Sequence, residues 1–180
     1  TSDDVVKEYD GEDATISVTA MPQGTYAYQW YKDGEVVDGA TDAELAVRAV
    51  ADSGVYTCLV TRADGYAKES EPINVQIDVG AIDVSDVDWD YSGAILYTGS
   101  TQTVAIDPAT LPQSVTVTYS GVTSASICGT YIAHATLTAT DPLNTELVGE
   151  TELTLTSTLV EYHGTILLLS HIMATLIQLL

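Results

Sequence analysis

Apolar and polar residues alternate in short runs along most of the chain, the period-two signature of half-buried strands. In Ala14–Ala20, "ATISVTA", Ile16 and Val18 fall on one face and Thr15, Ser17 and Thr19 on the other. Tyr26–Val37, "YAYQWYKDGEVV", holds two strand-like runs around Asp33-Gly34, a dipeptide that favours a two-residue hairpin turn. "ELAVRAV" alternates again, with Leu45 and Val47 inward. "GVYTCLVTRADGYAKES" predicts a strand, an Asp64-Gly65 turn and a second strand, and "PINVQIDV" closes the set. Several short strands at a spacing of roughly 8–12 residues predict a sandwich or barrel.

A second segment, about 81–158, repeats the style. "DVDWDYSG" places Val87, Trp89 and Tyr91 on one face and Asp86, Asp88 and Asp90 on the other. "QTVAID", "SVTVTYSG", "GTYIAHATLTAT" and "ELTLTST" are further strand candidates, and their Thr-rich alternation fits a sheet with one wet face. The two segments echo each other. "YDGEDATISV" begins at Tyr9 and "YTGSTQTVAI" at Tyr97, so that Gly11 matches Gly99 and Ile16 and Val18 match Val104 and Ile106. A chain of 180 residues accommodates one large domain or two small ones, and the echo favours two, 1–78 and 81–158, each expected to fold separately.

The tail, Leu159–Leu180, breaks the pattern. "TILLLSHIMATLIQLL" is nearly all apolar but short of the roughly 20 residues a membrane-spanning helix needs. His171 and Gln178 interrupt it, and no basic residue flanks it. A packed or interfacial helix, a last strand or a non-native end are the alternatives to a span. We expect no transmembrane anchor there. The start, "TSDDVVKEYD", has neither a basic nor an apolar region of a signal peptide, and the chain is expected to be a piece of a longer one.

Composition narrows the function. Phe is absent, Tyr numbers 11, and the net charge is -21. All five cations, Lys7, Lys32, Arg48, Arg62 and Lys68, precede Glu69. Nucleic acid is excluded as a partner, because almost nothing can displace phosphate counterions. The three histidines, His134, His163 and His171, match no nucleophile, zinc or phosphate motif. His134 sits in an alternating strand. Asp83, Asp86, Asp88 and Asp90 are the only metal candidates; their oxygens suit Ca²⁺, although the spacing is not that of an EF-hand. Alternation explains the same acids as a solvated strand face. Tyr26, Tyr28 and Tyr31 cluster around Trp30, where sheet packing competes with a surface able to grip a glycan or protein.

Trp30, then Asp52, Gly54, Tyr56 and Cys58, resemble the immunoglobulin I-set pattern over residues 5–77. The resemblance implies a sandwich in which Trp30 packs against a cross-sheet disulfide and Asp52, Gly54 and Tyr56 build a tyrosine corner. The partner cysteine expected inside "ATISVTA" is missing. Val18 occupies its place, with Ile16 as the alternative. Cys58 is therefore expected to be a buried reduced thiol, with Val18, Trp30 and Cys58 packing where the bridge would stand. Residues 87–156, with "LPQSVTVTYSG", "GTYIAHATLTAT" and "DPLNTEL", resemble the YDG/MBG-type repeats of bacterial extracellular proteins, with Cys128, His134 and Thr145 as departures.

The expected fold is all-β: two tandem small modules, the first an immunoglobulin-like sandwich, the second an antiparallel sandwich or a β-grasp-like sheet. The expected function is a non-catalytic structural or adhesive spacer of a bacterial cell-surface or secreted protein. The alternatives are an accessory region of a large secreted enzyme and a membrane-attached binding protein. Expected partners are neighbouring domains and a weakly bound protein or glycan.

Overall fold

In the computed structural model, residues 1–91 and 93–161 are described. The apolar stretch beyond Glu161, with His163 and His171, lies outside them. The chain divides into two compact units, Thr1–Ile82 with Asp141–Glu146, and Asp83–Thr140 with the described residues from Leu147.

The first unit is built from β1 (Val5–Glu8), β2 (Ala14–Ser17), β3 (Tyr26–Lys32), β4 (Glu35–Val36), β5 (Glu44–Val47), a 3₁₀ turn (Val50–Asp52), β6 (Gly54–Arg62), β7 (Ala67–Glu69) and β8 (Ile73–Asp78). One sheet has the order β1-β8-β6-β3-β4, with β7 also on β6, and β2 and β5 form the facing ribbon. β1 is parallel to β8, and the other pairs are antiparallel. Asp33 and Gly34 both take positive φ, 52° and 85°, as a type I′ hairpin turn requires. Alternating inward residues from both sheets, Ile16, Val18, Trp30, Val47, Tyr56, Cys58, Ile73, Val75 and Ile77, form one buried cluster. This is an immunoglobulin-like sandwich.

β9 (Gly80–Asp83) follows and pairs with β15 (Thr145–Val148). The second unit contains β10 (Ile95–Tyr97), β11 (Gln102–Thr103), β12 (Val115–Gly121), β13 (Ser124–Ala125), β14 (Gly129–Ala139) and β16 (Glu152–Glu161). Its main sheet has the order β10-β16-β14-β12, and β11 pairs with β13 in a separate ribbon. The described residues of this unit contain a four-stranded sheet, a two-stranded ribbon and no helix, an all-β arrangement. β10 runs parallel to β16, which gives the otherwise antiparallel sheet one parallel edge. Val87, Trp89, Val104, Ile106, Leu137 and Leu159 are buried, and the small Ala133 and Ala135 are fully so.

The echoed motifs fall at equivalent places. Tyr9 donates its N–H to Asp78 at the end of the β1–β8 pair, and Tyr97 closes the β10–β16 pair opposite Glu161. Each is followed by a glycine at positive φ, Gly11 at 81° and Gly99 at 88°, a conformation that a Cβ disfavours. Ile16, Val18, Val104 and Ile106 are then all buried.

Two expectations need correction. "DVDWDYSG" alternates in burial as expected, but it is not a strand: Trp89 makes a single bridge to Ile106. The Asp88 carboxylate accepts the Trp89 N–H at 2.7 Å, so a side chain takes the donor a ladder would need. Leu159 and Val160, expected to begin the tail, belong to β16, and Leu159 is buried.

Candidate ligand-binding cleft at the loop end of the first unit

The residues singled out by the immunoglobulin resemblance have distinct local tasks. Trp30 lies opposite Cys58 in the β3–β6 register, and both are fully buried. The Trp30 indole donates to the Asp42 carbonyl at 2.9 Å. Asp52 accepts the N–H groups of Arg48 and Ala49 at 2.8 and 2.9 Å, closing the 3₁₀ turn. Tyr56 donates its hydroxyl to the Asp52 carbonyl at 2.7 Å, which is the tyrosine corner. A Cβ at Gly54 would lie 2.7 Å from the Asp33 carboxylate, which itself holds the Val55 N–H. Burial raises the Tyr56 hydroxyl to about 12, helped by the charges of Asp52 and Asp33. Burial also raises the Cys58 thiol, which keeps it protonated and poor as a nucleophile. Val18 and Ile16 are both buried in the same cluster. These groups hold the sandwich together.

The acids do not converge. Among the described residues, no group of three or more His, Cys, Asp or Glu side chains could hold a metal ion. Asp83 turns back on Ser85, accepting its N–H at 2.9 Å and its hydroxyl, and these bonds hold the carboxyl below its ordinary range. Asp86, Asp88 and Asp90 are exposed. His134 is exposed, with Nδ1 3.0 Å from the Thr154 hydroxyl. Tyr26, Tyr28 and Tyr31 are half-buried, as sheet packing requires.

The concave surface lies elsewhere. A cleft of about 330 Å³ opens where the chain leaving β2, the start of β3 and the turn between β6 and β7 meet. Its walls include Met21, Tyr26, Arg62, Tyr66, Lys68 and Ser70. This is the end of the sandwich that carries the recognition loops in variable immunoglobulin domains. Tyr66 and Met21 are 63% and 81% exposed, a large apolar investment in solvent. The turn is firm: Gly65 has φ 88°, and the Arg62 N–H bonds the Tyr66 carbonyl at 2.8 Å. Arg62 sits over the Tyr66 ring, its Cζ 5.7 Å from the centroid, and its guanidinium grips Asp64, which is held below the ordinary carboxyl range. Lys68 has no ion-pair partner among the described residues. The cleft thus combines an exposed ring and a thioether with mixed charge, Arg62 and Lys68 beside Glu69 and Glu71. Met21, Arg62, Tyr66 and Lys68 were not marked by sequence, because their meeting depends on three loops converging. The only sequence signal was the Asp-Gly turn flanked by Arg62 and Tyr66.

No family model matches the chain, and no curated protein matches it. Solved structures similar to it include extracellular domains 3–5 of Drosophila OTK, at 11% identity, covering 89% of this chain and 63% of that one, with a TM-score of 0.35. Immunoglobulin domains 1–5 of Sidekick-1 are similar at 13% identity over 89% of this chain and 39% of that one, TM-score 0.36. The insect immune protein hemolin is similar at 13% identity over 89% and 45%, TM-score 0.36. The chain thus spans less than two thirds of the length of each. The strand orders above, an immunoglobulin-like sandwich in the first unit and an all-β second unit, carry the fold assignment.

Proposed function

We propose that this chain is a non-catalytic spacer and adhesive region of an extracellular or cell-surface protein, built from two tandem β modules of which the first is immunoglobulin-like. The observation that carries this reading is a parallel strand pair in each unit that joins an early strand to a late one among the described residues, β1 with β8 and β10 with β16. Tension applied through the ends of such a unit pulls adjacent parallel strands in opposite directions. Their hydrogen bonds are loaded together in shear instead of being opened one by one. A module of this kind projects a distal site and resists being pulled apart. The loop-end cleft of the first unit supplies the adhesive contact, with a protein or glycan as ligand. A bacterial source is supported by the YDG/MBG-like segments, which fall on β12, β14 and Asp141–Glu146.

Single-molecule pulling on the full chain tests the mechanical part. The Tyr9 N–H bonds Asp78, so Val5, Lys7 and Tyr9 direct their backbone groups at β8 and Val6 directs its own away. Lys7→Pro removes a clamp donor and is expected to lower the rupture force of the first unit; Val6→Pro is expected to lower it less. Equal forces for the wild type and Lys7→Pro would remove the basis of the spacer reading. A glycan array probed with the wild type and Tyr66→Ala tests the cleft; retained signals in the variant would place adhesion elsewhere.

A further inference from the structure

We propose that the free edge of β12 pairs antiparallel, about a two-fold axis, with the same edge of a second copy of this chain. The two units share a sheet order, β1-β8-β6-β3 and β10-β16-β14-β12. In the first, β3 continues through its hairpin into β4, which covers its end with Tyr31 opposite Val36 and Lys32 opposite Glu35. In the second, β12 holds the same outer position with no strand beyond it among the described residues.

The backbone of that edge is available. Thr140 donates its N–H to the Ser114 carbonyl at 2.9 Å, and Val122 donates to Ile132 at 2.8 Å. Antiparallel pairing alternates, so Thr116, Thr118 and Ser120 face β14 and the N–H and C=O groups of Val117 and Tyr119 turn outward. Exposed edges are normally blunted by charge, proline, a bulge or extreme shortness. β12 has 7 residues, Val-Thr-Val-Thr-Tyr-Ser-Gly, and only its last, Gly121 at φ 75°, departs from extended geometry. No Asp, Glu, Lys or Arg occurs from Pro108 to Thr140, in a molecule of net charge -21. The corresponding hairpin of the first unit carries Lys32, Asp33 and Glu35.

Charge decides the occupant. A cationic segment would find no carboxylate on this edge to recognise. Two copies of the chain repel elsewhere, and here they meet without like charges opposed. The register is self-complementary: Val117 of each copy opposes Tyr119 of the other, Thr118 faces Thr118 at the axis, and Thr116 faces Ser120. Both outward residues of each copy then exchange backbone hydrogen bonds, as an isologous contact demands, and the hydroxyl pairs are favourable cross-strand neighbours. So small an interface belongs to the weak, transient class. It suits a surface array in which many copies stand side by side and avidity multiplies each contact.

Sedimentation of the full chain from about 10 µM to about 1 mM, a range that brackets weak complexes, tests this at roughly 0.05 and 0.5 M NaCl. Self-association is expected to strengthen with salt, because screening removes the repulsion and leaves the neutral edge pairing intact. Val117→Pro removes an outward donor without touching the β14 ladder, a placement that edge strands tolerate. Thr118→Lys sets two cations against each other at the axis, although it lowers the net charge that keeps copies apart. Each is expected to weaken association at least tenfold, while Val36→Pro in the first unit leaves it unchanged. Circular dichroism and denaturant midpoints verify folding, and Thr118→Lys keeps the test valid if the proline variant does not fold. A wild-type chain that stays monomeric at high salt would overturn the proposal. So would wild-type association in folded Thr118→Lys, which would assign self-association to another surface.

Discussion

The Tyr56 hydroxyl is the polar end of a buried ring, and among the described residues it bonds the Asp52 carbonyl. Ionising it would place a charge in an apolar setting beside Asp52 and Asp33, which is why its pKa rises to about 12. A group raised in the folded state stabilises fully below its ordinary value, about 10, and that contribution is lost as pH climbs toward about 12. Chemical denaturation between pH 8 and pH 12, followed by Trp30 fluorescence, is expected to show the first unit weakening across that window. Tyr56→Phe is expected to cost about 1 kcal/mol at neutral pH and to flatten the alkaline loss. A variant with an unchanged alkaline slope would assign the loss to other groups. Asp52, Gly54, Tyr56 and Cys58 were marked through the immunoglobulin resemblance, and each meets a local demand in the fold: a turn to close, a carboxylate to clear, a corner to tie, a small place beside Trp30. Tyr66 and Met21 were not, since nothing local distinguishes an exposed tyrosine from a packed one.

At the scale of elements, alternation located β2, β3, β5, β6, β8, β12, β14 and β16, and the two Asp-Gly turns formed where expected. It failed at Trp89 for a definable reason. Alternation reports which side is buried, and a segment held by one bridge and side-chain bonds to the backbone can satisfy it without joining a ladder. The parallel edges, β1 on β8 and β10 on β16, were equally hidden, because period two carries no information about which strand lies alongside. Between sheets one alternative remains open in the sequence and is decided by experiment: whether Val18 or Ile16 stands where a cysteine would reach Cys58. Val18→Cys is expected to form a bridge with Cys58 under mild oxidation and to raise stability by about 2–4 kcal/mol, with Ile16→Cys leaving both thiols free. Mass mapping of digests decides it; a bridge formed by Ile16→Cys alone would transfer the assignment. In the parent chain, buried Cys58 is expected to resist a thiol reagent until denaturant is added, while exposed Cys128 reacts at once.

The whole molecule carries one tryptophan per unit, Trp30 in the first and Trp89 in the second, so each unit has its own reporter. The sequence separated the units by their repeated strand sets, but it gave no sign that Asp141–Glu146 belongs with the first. Two long-range hydrogen bonds to Asn144, from Val50 and Gly80, tie the segment to the first unit, and a local one to Asp141 fixes its turn. The Asn144 side-chain oxygen accepts the Val50 N–H at 2.8 Å, its backbone carbonyl accepts the Gly80 N–H at 2.9 Å, and its amide donates to Asp141 at 2.9 Å. Val50 opens the 3₁₀ turn that Asp52 closes and that supports the tyrosine corner. Asn144→Ala therefore leaves a half-buried donor at that turn without its partner, a loss of about 1–3 kcal/mol. The expected result in urea is a lower midpoint for the transition seen by Trp30, read in a Trp89→Phe background. The transition seen by Trp89, read in a Trp30→Phe background with and without Asn144→Ala, is expected to stay in place. Equal shifts of both transitions would show that the units unfold as one, and would replace two tandem modules with a single cooperative body. An unchanged Trp30 midpoint would show that water satisfies Val50 as well as Asn144 does, and would reduce Asp141–Glu146 to a passive neighbour of the first unit.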